Sequence, residues 1–179
     1  MKRIGIYGGS FNPIHAGHLG LALKAAADHQ LEKVLVVPAK VSPFKTDTPQ
    51  DDVTFTDAQR WHLVTLACAD QPLLEPWDVE LRRGGVSYAI DTVREVRAAN
   101  PGAEIYFIIG EDSVEGLPRW KDWPMLKTLA HFVSYPRTRE SSTEIRRRLS
   151  AGESVADLLP SAVAQAIGQM FPCERARQH

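Results

Sequence analysis

The sequence predicts an α/β protein built on a doubly wound parallel sheet of about five strands, with helices at its C-terminal end. Three observations carry this expectation. Short β-rich runs alternate with helix-period segments along the chain. The run Ile105-Tyr106-Phe107-Ile108-Ile109 is apolar on both alternations, as a central parallel strand buried on both faces must be. Glycine-rich and polar segments follow the strand-like runs, which is where open α/β sheets hold their ligands.

In chain order, Ile4-Gly5-Ile6-Tyr7 reads as the first strand, and Leu19, Ala22, Leu23 and Ala26 follow at helical spacing. Val34-Leu35-Val36-Val37 is the second strand, stopped by Pro38. A helix is expected from about Thr56, with Trp61, Val64 and Cys68 on one face. Residues 73–81 read as extended, but Pro76 and the charges confine them to an edge strand. Ser87 is the expected cap of a helix bearing Ile90 and Val93. Residues 105–109 form the fourth strand, and Phe132-Val133-Ser134-Tyr135 a short last one. Ser141 and Glu144 have the spacing of a capping box for a helix carrying Ile145 and Leu149, closed by Gly152. A final helix is expected from about Ser161 to Met170.

The 179 residues suit one domain spanning 1–179, with a helical part at about 141–171. The formal net charge of −1 gives no electrostatic case for nucleic acid or a membrane surface as partner. Any phosphate ligand must therefore be held by a local site. Cys68 and Cys173 lack CxxC or Cys/His spacing and read as thiols in a reducing compartment. Met1-Lys2-Arg3 runs straight into the first strand, without the apolar stretch of a signal peptide, and no window reaches membrane-span length. The expected location is the cytoplasm.

The loop after the first strand, Gly8-Gly9-Ser10-Phe11-Asn12-Pro13-Ile14-His15-Ala16-Gly17-His18, leads into a helix. Glycines let backbone N–H groups approach an anion, and a helix start presents its positive end. His15 and His18 share a face if the first turn begins near His15, and two imidazoles aimed at phosphate can donate hydrogen bonds and carry charge when protonated. A plain glycine turn with two surface histidines also fits the spacing, as does a metal pair lacking a third ligand nearby. Neither G-x-x-x-x-G-K-[ST] nor G-x-G-x-x-G follows the strand. Far downstream, Ser141-Ser142-Thr143-Glu144-Ile145-Arg146 opens a second helix with hydroxyls and a guanidinium beside its N–H groups. Taken alone, that segment also fits a capped surface helix with solvated arginines.

Residues Gly9 to His18 resemble the G-[ST]-F-[DN]-P-x-H-x-G-H signature of the nucleotidyltransferase superfamily, and Ser142, Thr143 and Arg146 resemble its S-[ST]-x-x-I-R motif. The resemblance implies a Rossmann-like nucleotidyltransferase fold. It also implies an ATP site made from Gly8, Gly9, Ser10, Phe11, His15, His18, Gly110, Asp112, Ser142, Thr143 and Arg146. The chain offers no convincing nucleophile with a base and no obvious carboxylate pair. That fits transfer to a phosphate monoester, whose oxygen is already an anion and needs no base. Catalysis then reduces to alignment and charge neutralisation by His15, His18, Lys45, Arg146 and a Mg²⁺ carried on the ATP phosphates. No all-protein metal site is expected.

Three further segments bear on the acceptor. Ser42-Pro43-Phe44-Lys45 places a cation in the loop after the second strand, and Ser87-Tyr88-Ala89-Ile90-Asp91-Thr92 opens a helix. Gly110-Glu111-Asp112-Ser113 follows the strongest strand, where a carboxylate can hold a ribose hydroxyl, and Trp120 and Trp123 bracket a loop. A solvated lysine, a capping serine and packing tryptophans are the bland alternatives. Together these segments resemble the nicotinate-nucleotide adenylyltransferase family, from Ile4 to about Ile167. The resemblance implies transfer of AMP from ATP to nicotinate mononucleotide in NAD biosynthesis. Acceptor contacts would come from Lys45, Ser87, Tyr88, Ala89 and Trp120, and a homo-oligomer is compatible. Two departures stand out: Ala89 replaces the family's usual threonine, and residues 135–141 are shorter than its norm, so a more open adenine pocket or an altered subunit contact is expected. The rival readings are a related transferase using nicotinamide mononucleotide or phosphopantetheine, and a non-catalytic nucleotide-binding regulator.

Overall fold

A computed structural model of the chain describes residues 1–44 and 53–172. Its centre is a five-stranded parallel sheet. Strands β1 (Arg3–Gly9), β2 (Lys33–Pro38), β3 (Leu74–Pro76), β4 (Glu104–Gly110) and β5 (His131–Tyr135) lie in the order β3-β2-β1-β4-β5. All pairings are parallel, with Ile6 of β1 opposite Leu35 on one side and Phe107 on the other. The order reverses beside β1, which places the switch point between β1 and β4 and opens a crevice at their carboxyl ends.

Alternating residues of the inner strands feed two cores, one on each face. Ile4, Ile6, Leu35, Val37, Ile105, Phe107 and Ile109 pack with α3 (Val79–Arg83), α4 (Ala89–Ala99) and α5 (Trp123–Leu129). Tyr7, Val34, Val36 and Ile108 pack with α1 (Ala16–His29), α2 (Asp57–Cys68), α6 (Ser142–Ser150) and α7 (Ser161–Met170). The expected α/β architecture is the one observed. Among the described residues no helix is long and apolar enough to cross a membrane.

Three local expectations are corrected. Of residues 73–81 only Leu74–Pro76 is a strand, at the sheet edge where a proline without an N–H is tolerated; Val79–Arg83 is a helical turn that buries Val79 and Glu80. On α2 the buried stripe is Arg60, Leu63, Val64, Ala67 and Cys68, with Trp61 half-buried beside it. At α6, Ser141 accepts from the Glu144 N–H at 3.3 Å, but the Glu144 carboxylate turns to Arg147 and Arg148 instead of completing the box. The far end closes as expected. Gly152 has φ +68°, and the Gly152 and Glu153 N–H groups return to the Leu149 and Arg148 carbonyls in a Schellman arrangement.

Candidate active site

The crevice at the β1/β4 switch point is an open cleft of about 1220 Å³, bordered by residues from the loops after β1, β2 and β4 and from the start of α6. The loop after β1 is built around Phe11. Its side chain is 2 % exposed, with its ring 5.5 Å from Tyr7 and 5.0 Å from His18, and it holds a left-handed φ of 45° that tight packing imposes on a bulky residue. The Asn12–Pro13 peptide is cis, and the Asn12 side chain accepts from the Phe55 N–H at 3.0 Å.

His15 is the N-cap of α1, and its backbone N–H donates to Nδ1 of His18 at 3.1 Å. With Nδ1 used as acceptor, the neutral tautomer of His18 carries its proton on Nε2. The two imidazoles stack at 3.6 Å between centroids, so their proximity, expected from spacing alone, is real. Protonation is disfavoured at His15. Burial pulls its pKa down to about 4, against a small opposing pull from the Glu140 carboxylate, and at 4 % exposure it is neutral near pH 7. Its Nδ1 is buried with no hydrogen-bond partner among the described residues.

The second anion-binding segment meets the first directly. Ser142 Oγ donates to the Pro13 carbonyl at 2.9 Å across 129 residues of sequence. Arg146 Nη1 donates to the Asn12 carbonyl at 2.8 Å across 134, and its Nη2 reaches Thr143 Oγ1 at 3.4 Å. Arg147 and Arg148 are instead paired with Glu144, Glu153 and Asp157, so of this arginine run only Arg146 borders the cleft. The short 136–141 segment lies over the first turn of α1: a Cβ at Gly17 would stand 2.1 Å from Thr138 Oγ1, so only glycine lets it approach.

Arg60, which the sequence gave no reason to single out, ties this cleft together. It is 6 % exposed and donates to the carbonyls of Ser10 and Ala39, at 2.7 Å for the latter, while Asp57 pairs with it at 2.8 Å. One guanidinium thus holds the loop after β1 against the loop after β2. Arg60→Ala is expected to cost about 3 kcal/mol, read as a Tm lower by about 6–12 °C, because two carbonyls lose a charged donor and Asp57 loses a partner. An unchanged thermal midpoint would contradict this role.

At the other end of the cleft, Lys45 lies outside the described residues, while Ser42, Pro43 and Phe44 border the cavity. Ser87 is not a helix cap: α4 begins after Tyr88, and Ser87 Oγ accepts from the Lys40 N–H at 2.9 Å. It also bonds to the buried Glu80 carboxylate, which accepts from Thr92 Oγ1 at 2.6 Å and whose pKa burial raises. The loop after β2 is therefore stitched to the start of α4, with Val41 bridged to Val86. Trp120 stands edge-on to Phe107 and Phe132, at 5.7 and 5.9 Å, and borders the cleft with Tyr88 and Ala89. Trp123 packs against Phe132 at 4.9 Å, in the core rather than the cleft. Gly110, Asp112 and Ser113 also border the cavity, and the Asp112 carboxylate pairs with Arg137. Among the described residues no group of three or more His, Cys, Asp or Glu side chains is placed to hold a metal.

Residues 6–150 match the cytidylyltransferase-like family. A protein of Clavibacter michiganensis named "Probable nicotinate-nucleotide adenylyltransferase" is 35% identical over 93% of this chain and 92% of its own length. One of the same name from Shouchella clausii is 35% identical over 93% and 94%. In fold, the chain is similar to Plasmodium falciparum nicotinic acid mononucleotide adenylyltransferase complexed with NaAD, with a TM-score of 0.71 and 16% identity over 97% and 98% of the two chains. By sequence over nearly its whole length, then, this chain belongs to the nicotinate-nucleotide adenylyltransferase family of the nucleotidyltransferase superfamily.

Proposed function

We propose that this enzyme transfers the adenylyl group of ATP to nicotinate mononucleotide, forming nicotinic acid adenine dinucleotide and pyrophosphate in NAD biosynthesis. The observation that carries the mechanism is the joining of two anion-binding segments at one cleft, through the Ser142 and Arg146 bonds to the 12–13 carbonyls. Family membership carries the choice of acceptor.

In this reading MgATP enters with its ion on the phosphates, and the backbone of Gly8, Gly9, Ser10 and Phe11 lies along the triphosphate. His18 donates from Nε2, neutral His15 donates or accepts without adding charge, and Arg146 with Ser142 and Thr143 receives the departing pyrophosphate. Gly110 and Asp112 serve the adenosine side, for which Asp112 must be released from Arg137. Lys45, Ser87, Tyr88, Ala89 and Trp120 serve the acceptor. The acceptor phosphate attacks the α-phosphorus in line, the bond to the bridging oxygen breaks, and the electron pair leaves on pyrophosphate. No proton has to move, which suits a site without a general base. Each well-placed donor contributes about 3–4 kcal/mol to the transition state. The cytoplasm goes with this reading, and burial there leaves the Cys68 thiol with a pKa of about 11, so it is unreactive.

The test incubates the protein with MgATP and, separately, nicotinate mononucleotide, nicotinamide mononucleotide and phosphopantetheine, with products identified by mass. Nicotinic acid adenine dinucleotide is expected as the preferred product. Turnover of phosphopantetheine alone would overturn the acceptor, and ATP binding without any turnover would overturn the enzyme.

A further inference from the structure

We propose that Lys121 holds the carboxylate of the acceptor's pyridine ring and thereby sets the preference for acid over amide acceptors; the inference rests on the acceptor class given above. Lys121 directly follows Trp120 and borders the cleft beside Tyr88 and Ala89. Its ammonium sits 4.4 Å from the centroid of the Tyr88 ring.

Three other lysines are paired with carboxylates: Lys24 with Asp28, Lys33 with Glu75 and Lys40 with Asp57. Lys121 has no carboxylate partner among the described residues. Among the described residues, the carboxylate bordering this end is Glu80, which is turned inward to Thr92 and Ser87 with Arg83 nearby, so it neither neutralises the lysine nor needs it. An ammonium on an aromatic face is loosely held, and a carboxylate brought alongside offers it a stronger, charge-assisted bond. The start of α4, whose N-cap Tyr88 makes no side-chain cap, borders the same space and favours negative charge there. An uncharged amide in place of the carboxylate gains much less from both. Selection here is therefore a difference in electrostatics rather than in shape.

Steady-state kcat/KM is measured with nicotinate and nicotinamide mononucleotides for the wild type, Lys121→Gln and Lys121→Arg. The ratio of acid to amide kcat/KM is expected to fall about tenfold in Lys121→Gln, through KM for the acid, and to recover in Lys121→Arg. Arg119 borders the same cavity, and a Cβ at Gly116 would lie 3.4 Å from its Nη2, so Arg119→Gln serves as the neighbouring-charge control and should leave the ratio unmoved. An unchanged ratio in Lys121→Gln, an equal fall on both acceptors, or a fall in Arg119→Gln instead would each overturn the proposal while leaving the adenylyl-transfer reading intact. A wild type that turns over neither pyridine nucleotide would remove that reading and this inference together.

Discussion

His18→Ala is expected to keep its fold and lose at least about a hundredfold in turnover. The side chain is half-buried. Its Nδ1 accepts the His15 N–H at the start of α1, and its ring stacks on His15 and meets Phe11 edge-on. Losing a cap of this kind costs about 1 kcal/mol, a modest fraction of a domain's stability of about 5–15 kcal/mol. The catalytic loss is larger because the neutral tautomer that accepts at Nδ1 carries its proton on Nε2, and a donor aimed at developing phosphate charge is worth about 3–4 kcal/mol in rate. Thermal melting and kcat therefore separate the two roles. His18→Asn, which can keep an acceptor for the His15 N–H without the distal donor, should restore the melting temperature and leave turnover low. An active His18→Ala enzyme would remove the imidazole from the mechanism.

The parts of this molecule that were legible in the sequence are those set by short-range pattern. Ile105 to Ile109 reads as a central strand because apolar residues on both alternations have no other comfortable home. The loop from Gly9 to His18 is legible because its glycines and its two histidines three apart lie within a ten-residue stretch that resembles a known signature. The misses have one cause: each depends on a partner distant in sequence or on competition between two partners. Ser87 looks like a cap by position, but the Lys40 N–H and Glu80, brought near by the sheet, claim its hydroxyl. Glu144 has capping-box spacing, yet two arginines one turn on outcompete the backbone N–H. Arg60 is the sharpest case. A charged residue on an amphipathic helix reads as solvent-facing, and only the carbonyls of Ser10 and Ala39 explain why this one is buried.

Arg146→Ala is expected to lose about a hundredfold or more in kcat/KM for ATP, with Arg146→Lys recovering only part of it. The reason lies in the bond from Nη1 to the Asn12 carbonyl at 2.8 Å. That bond fixes the guanidinium plane against the loop after β1, with the rest of the fork at the mouth of the α6 N-terminus beside Thr143. A planar fork can hold the loop and meet a phosphate oxygen at once, whereas an ammonium must give up one to make the other. Lysine should therefore keep the charge and much of the ATP affinity, so the deficit in Arg146→Lys falls mainly on kcat, while alanine raises KM as well. Arg147 provides the internal comparison. It is one residue on, equally charged, and engaged by Glu144 and Glu153 on the outer side of the helix. Arg147→Ala should leave both parameters unchanged, because an exposed ion pair away from the cleft contributes little. If Arg147→Ala were as damaging as Arg146→Ala, net positive charge around α6 would be what matters, and the geometry of the joined loops would lose its explanatory role.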